Sequence, residues 1–104
     1  MAFTQKIGDD LTLRSVQTEQ DKERFATFNT VYNNPGEGAT CACLLHHHPH
    51  MTPDNFLIVE SDTTREIVST TCLIPWNIHF CGVDLRVAQL EMVLTHPEYR
   101  GRGF

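Results

Sequence analysis

The chain has 104 residues, of which 40% are apolar and 20% are charged, as is ordinary for one folded domain with a modest core. Its formal net charge of −5 argues against a nucleic-acid-binding surface, because such surfaces are basic. No apolar run approaches the ~18 residues of a membrane span, and the first residues lack the apolar core of a signal peptide. With four cysteines whose spacing does not resemble a disulfide framework, the sequence predicts a cytoplasmic protein with reduced thiols.

A strand and then a helix are predicted from the first third of the chain. Residues 11–16 alternate between apolar and polar types, which is typical of a half-buried strand. Thr18 with Asp21 forms a variant of the capping box that begins a helix. Three aromatic residues then recur at helical spacing and are expected in the core: Phe25, Phe28 and Tyr32.

A second short helix is predicted over 40–48, after turn-forming residues at 33–36 and before Pro49, which ends it. Its end carries a histidine run, 46–48 with His50, downstream of two cysteines. Such residues could supply zinc ligands, but consecutive histidines on a helix point in different directions. No metal site is therefore assigned, and the run is interpreted as histidine placed favourably at a helix C-terminus.

Three strands are predicted in the second half of the chain. Residues 55–60 and 66–74 are apolar or β-branched and close enough in sequence to form an antiparallel hairpin. A loop over 75–82, whose aromatic residues pack locally, is expected before a long strand over 83–95. The order β-α-α-β-β-β predicts an α+β fold, in which a mostly antiparallel sheet is flanked by two helices.

The chain ends on its most specific motif, which follows the long strand directly. This motif consists of Pro97, Glu98, Tyr99, Arg100, Gly101, Arg102, Gly103 and Phe104. Its glycines allow the backbone to approach an anion closely, and its arginines add charge that suits phosphate groups. The motif predicts a turn that binds the phosphates of a nucleotide-like cofactor.

With the element order, this motif resembles the first half of the GNAT superfamily of acyl-CoA-dependent N-acetyltransferases. The family pattern is Gln/Arg-x-x-Gly-x-Gly/Ala, and Arg100 and Gly103 fill its first two fixed places. The resemblance assigns acetyl-CoA contacts to two groups: the splayed backbone of Val93, Leu94 and Thr95, and the turn of Arg100, Gly101, Arg102, Gly103 and Phe104. The first group would pair with the pantetheine arm and polarise the thioester carbonyl, and the second would hold the pyrophosphate.

The resemblance also implies that residues 1–104 form a single, incomplete domain, truncated before the helix after the fourth predicted strand. In the family, that helix and the next strand complete the pyrophosphate cradle and the cofactor cleft. The sheet would then finish on its longest strand with an unpaired edge. Because such an edge invites pairing with another chain, a homodimer is expected.

Glu91 is the candidate general base, since an amine must lose a proton before it can attack a thioester. By period-two alternation it shares a strand face with Gln89, Val93 and Thr95. That placement resembles the family position of a carboxylate reaching toward the acetyl group. A solvated or hydrogen-bonded structural glutamate is the alternative interpretation, and His96 is a second candidate for proton relay.

Two functions remain open from the sequence. The first is an acetyl-CoA-dependent N-acetyltransferase, in which a primary amine of a small molecule or peptide attacks the thioester directly. The second is a non-catalytic binding or dimerisation module derived from the same family, with metal binding through the histidine loop as one version.

Overall fold

The computed structural model describes residues 2–103 and shows a five-stranded sheet with two helices packed against one face. The strands are β1 (Thr4–Lys6), β2 (Leu11–Ser15), β3 (Phe56–Ser61), β4 (Ile67–Phe80) and β5 (Val83–Thr95), and the helices are α1 (Glu19–Tyr32) and α2 (Pro35–His47). The strand order is β1-β2-β3-β4-β5, and every neighbouring pair is antiparallel. The predicted α+β fold with a mostly antiparallel sheet is confirmed.

Two differences from the predicted elements lie in the first half. The strand β1 was not expected, because its three residues are all exposed and carry no apolar alternation. The helix α2 begins at Pro35 rather than at residue 40. Asn34 caps it by accepting a hydrogen bond from the Glu37 N–H at 2.9 Å, and Pro35 occupies a first-turn position that needs no N–H donor.

The predicted loop over 75–82 is wrong. The strand β4 continues through Pro75 to Phe80, and a tight turn of Cys81 and Gly82 joins it to β5. Both turn residues have positive φ, 49° and 78°, as the favoured two-residue hairpin turns require. Pro75 fits because β3 pairs with β4 only as far as Cys72, so the proline lies where one side of β4 has no neighbouring strand.

The core lies between the helices and the sheet. Phe25 is fully buried and packs edge-to-face on Phe56, with ring centroids 5.4 Å apart, and Phe28 is buried beside them. Tyr32, expected in the core, is instead 36% exposed at the last turn of α1. The helices approach closely at Gly38, where a Cβ would overlap the Thr30 side chain.

A charge network fastens α1 to the sheet. Arg14 donates to Asp21 at 2.8 Å and to Glu60 at 3.2 Å, and Arg24 donates to Glu60 at 2.9 Å. Both carboxylates are buried, and the exposed Arg65 side chain adds a further ion pair to Glu60. This network holds the first turn of α1 against β2 and β3.

All four cysteines are free, and two of them are core residues. Burial raises the pKa of Cys41 to about 12 and that of Cys72 to about 11, so both thiols stay protonated at neutral pH. Cys72 is fully buried and packs as a small apolar residue of the core. Neither helix described here combines the length and apolarity that crossing a bilayer would require.

Candidate functional site

A β-bulge interrupts the long strand at the centre of the predicted site. Cys72 of β4 lies opposite Glu91, whereas Thr70 lies opposite Leu94, so one extra residue is inserted on the β5 side. Met92 adopts a φ of 55°, a left-handed conformation that is uncommon for a residue with a side chain. Such bulges bend a strand and redirect its side chains.

Two threonine hydroxyls of β4 hold the bulge in place. Thr70 Oγ1 donates to the Met92 carbonyl at 3.1 Å, and Thr71 Oγ1 donates to the Glu91 carbonyl at 3.2 Å. Thr70 is itself fixed, because the Asn29 side chain on α1 donates to its hydroxyl at 3.2 Å. The bulge is therefore built into the packing of the helix on the sheet.

The bulge corrects one prediction about Glu91. Its side chain shares a face with Gln89, as expected, but not with Val93 and Thr95. The inserted residue reverses the alternation, so that Glu91 lies on the same face as Leu94, the face that carries the helices. Val93 is 63% exposed and does not belong to the core.

Glu91 is half-buried and hydrogen-bonded. Gln89 Nε2 donates to Glu91 Oε1 at 2.6 Å, and the indole Nε1 of Trp76 donates to Gln89 Oε1 at 2.8 Å. Trp76, expected in a loop, is therefore linked to the candidate base through Gln89. Sequence reasoning missed this contact because it required β4 to continue through Pro75.

The predicted cofactor strand lies at an open edge of the sheet. Within residues 2–103, β5 pairs with β4 alone, so its other edge faces no strand. The bulge places Val93 and Leu94 at that edge directly after the kink. The strand then ends where the His96 N–H donates to the Val68 carbonyl at 2.7 Å.

The glycine-rich turn follows this strand and is open to solvent. The short 3-10 turn Pro97–Tyr99 begins it, and Arg100 Nε donates back to the Thr95 carbonyl at 3.2 Å. Gly101 and Gly103 have φ values of 80° and 86°, which other residues rarely adopt, and a Cβ at either position would meet nothing within 4 Å. An exposed backbone of this kind suits an anion. Phe104, also predicted to contact the pyrophosphate, lies outside the described residues.

A ladder of aromatic contacts connects this turn to the core. Tyr32 packs on the buried Phe28 with ring centroids 4.9 Å apart, and His96 packs on Tyr32 at 4.6 Å. Tyr99 contacts His96 at 5.8 Å, and the Arg102 guanidinium lies 5.0 Å from the centroid of the Tyr99 ring. The ladder explains why Tyr32 is only partly buried, and it orders the turn from one side. His96 and Tyr99 lie three residues apart, a spacing that brings both rings to one side of the 3-10 turn.

The histidine run lies at the end of α2. His46 and His47 occupy its last turn with ring centroids 6.3 Å apart, and the Nδ1 of His48 accepts from the His50 N–H at 3.2 Å. No three His, Cys, Asp or Glu side chains in the described chain converge as metal ligands. His50 instead lines a groove of about 660 Å³ along the hairpin, together with Trp76.

Comparisons with known proteins agree with the fold. A family model described as an acetyltransferase (GNAT) domain matches residues 12–104. Among solved structures, the crystal structure of Saccharomyces cerevisiae N-myristoyltransferase with bound myristoyl-CoA matches the fold with a TM-score of 0.73 and 12% sequence identity. The match covers 97% of this chain, which spans 26% of that enzyme's length. Curated protein sequences give no match.

Proposed function

The chain belongs to the GNAT acetyltransferase family, and we propose that it transfers an acetyl group from acetyl-CoA to a primary amine. The observation that carries this proposal is the arrangement at the end of β5. A bulged strand at an open sheet edge leads directly into an exposed turn that contains two glycines in left-handed conformations and two arginines.

The residues present fit the phosphate groups of acetyl-CoA. The backbone of Gly101 and Gly103 is open enough to reach a pyrophosphate, and Arg100 and Arg102 are exposed beside it. The backbone of 93–95 would pair with the pantetheine arm at the open edge of β5. An N–H group there would stabilise the charge that develops on the thioester oxygen.

Glu91 supplies the proton acceptor in this scheme. An acceptor ammonium would pass one proton to the Glu91 carboxylate, and the resulting neutral amine would attack the carbonyl carbon of the thioester. The new C–N bond would form as the C–S bond breaks, and the departing thiolate of CoA would take up the second proton that the attacking nitrogen loses. Because Glu91 shares the helix-side face of the sheet, we expect the amine to approach from that side.

The charge of the chain bears on the chemistry of the acceptor. The net charge of −5 favours a cationic amine over an anionic acceptor. A small molecule and a peptide amine both fit this description. A cytoplasmic location remains a prediction from the sequence.

Replacing Arg100 and Arg102 together by alanine is expected to weaken acetyl-CoA binding about 100-fold, because each lost charge-assisted contact to phosphate costs roughly tenfold. Isothermal titration calorimetry measures the dissociation constant. Arg86→Ala is the matched control, since Arg86 is an exposed arginine of β5 on the far part of the hairpin, and it should leave the constant unchanged. An unchanged constant in the double variant would refute the assignment of the turn.

A second function is favoured by one specific observation. The far part of the hairpin exposes a continuous apolar face on one side, formed by Trp76, Ile78, Phe80, Val83, Leu85 and Val87. With the open edge of β5, this face would suit pairing with a second copy, as a non-catalytic dimerisation module requires. Light scattering at increasing concentration tests for the dimer, and the release of the CoA thiol from acetyl-CoA distinguishes the two functions, because the module forms a dimer but transfers no acetyl group.

A further inference from the structure

We propose that Gln89 and Trp76 are positioning residues, which hold the Glu91 carboxylate in the orientation that accepts the proton from the amine. This inference rests on the proposed function and adds to it two residues on neighbouring strands. It starts from the two hydrogen bonds that join the three side chains, from Trp76 to Gln89 at 2.8 Å and from Gln89 to Glu91 at 2.6 Å.

The direction of this chain follows from the chemistry of the indole. The Nε1–H of Trp76 can only donate, so it determines which end of the Gln89 amide faces it. The amide oxygen accepts from Trp76, and the amide nitrogen is thereby turned toward Glu91. Gln89 then donates to the Glu91 carboxylate through its amide NH2 group. Trp76 thus acts on Glu91 through Gln89.

The strand register brings the three side chains together. Trp76 lies opposite Val87, whereas Gln89 lies opposite Ile74, so Trp76 and Gln89 are diagonal neighbours on one face of the hairpin. Glu91 is the next residue on that face, and the bulge begins immediately after it. The register of β4 and β5 is therefore regular between Trp76 and Glu91, and the three side chains lie on the same face of the hairpin.

Positioning matters here because a glutamate on a strand at the open end of a sheet has several rotamers available. Ordering such a side chain costs conformational entropy, and a carboxylate that samples many rotamers is seldom in the reactive geometry. The hydrogen bond from Gln89 occupies Glu91 Oε1 and selects one rotamer. The proton of the amine is then taken by Oε2.

The test uses the fact that Trp76 is the one tryptophan in the sequence. Its indole N–H gives a single resonance in a ¹H–¹⁵N spectrum, which reports the hydrogen bond to Gln89 without any activity. In Gln89→Met, which keeps the length of the side chain but removes both hydrogen bonds, this resonance should move toward the position of a solvent-exposed indole. The kcat should fall about tenfold, while the dissociation constant of acetyl-CoA stays unchanged.

A double-mutant cycle separates positioning from local packing. Trp76→Phe should lower kcat about threefold, and Trp76→Phe combined with Gln89→Met should match Gln89→Met alone, because Trp76 acts through Gln89. Gln5→Met makes the same substitution at an exposed glutamine of β1 and should alter neither kcat nor the indole resonance.

The outcomes distinguish this inference from the proposed function. An indole resonance that does not move in Gln89→Met overturns the inference, whether or not the chain is active. A Gln89→Met variant with normal kcat overturns it too, provided that Glu91→Gln is impaired, and the proposed function then stands. If the losses in kcat were additive in the double variant, the two side chains would act separately, which contradicts the inference that Trp76 acts through Gln89.

Discussion

Glu91→Gln is expected to lower kcat about 100-fold, with the affinity for acetyl-CoA unchanged, because a positioned general base contributes at least that much to proton transfer. Glutamine preserves the shape of the side chain and can still bond to Gln89, but it cannot take a proton from the amine. The rate is measured as the release of the CoA thiol from acetyl-CoA in the presence of each of a panel of primary amines.

The pH dependence provides the internal check on this prediction. At a pH high enough for the acceptor amine to be neutral in solution, no base is needed. The difference in kcat between Glu91→Gln and the unchanged chain should therefore become smaller. Glu23→Gln is the matched control, since Glu23 is an exposed glutamate of α1, and its kcat should be normal at every pH. A Glu91→Gln variant with full kcat at neutral pH would leave Glu91 with a structural role only.

Glu60→Gln is expected to lower the free energy of unfolding by about 3 kcal/mol, because breaking a buried ion-pair network leaves its other charges uncompensated. Glu60 is buried, and it accepts hydrogen bonds from both Arg14 and Arg24. A neutral amide would leave these two guanidinium groups facing each other with one fewer anion between them. Urea denaturation measures the change, and Glu66→Gln, at an exposed position, should cost almost nothing.

The same network predicts how stability depends on pH. Hydrogen bonds from Arg14 hold the pKa of Asp21 well below its usual range. Burial raises the pKa of Glu60, but hydrogen bonds from Arg14 and Arg24 outweigh it, and the net pKa is lowered. Because both values are lower in the folded state, the stabilisation is present above the usual carboxyl range of about pH 4 and is lost as the pH falls below it.

Unfolding experiments from pH 7 to pH 3 test this sign. The stability of the chain should be nearly constant from pH 7 to about pH 5 and should fall from there to pH 3, and Glu60→Gln should lose less, because one of the two titrating groups is gone. The role of the network would be contradicted if the free energy of unfolding rose toward pH 3. It would also be contradicted if the free energy of unfolding of Glu60→Gln changed with pH as much as that of the unchanged chain.

Much of the local structure could be predicted from the sequence. The capping pair Thr18 and Asp21 defined the start of α1, and the long strand over 83–95 was correct at both ends. These features depend on neighbours in sequence, such as a cap three residues from its partner. The terminal glycine turn was recognisable for the same reason.

The remaining features depend on contacts that a single sequence does not display. Pro75 indicates a strand end unless it is known that β3 stops before it, which only the pairing of three strands reveals. The bulge at Met92 depends on threonine hydroxyls of β4, and it changes the faces of all residues after it. For this reason the sequence placed Glu91 beside Gln89 correctly but assigned it the wrong neighbours further along.

The central claim is that acetyl-CoA binds along the end of β5 and the turn after it. The most direct test is a ¹H–¹⁵N titration of the chain with acetyl-CoA, followed at the backbone amides. We predict the largest shifts at 93–95 and at 101–103, with little change at the amides of β1 and β2. Shifts confined to other parts of the chain, or no shifts at saturating acetyl-CoA, would contradict the account.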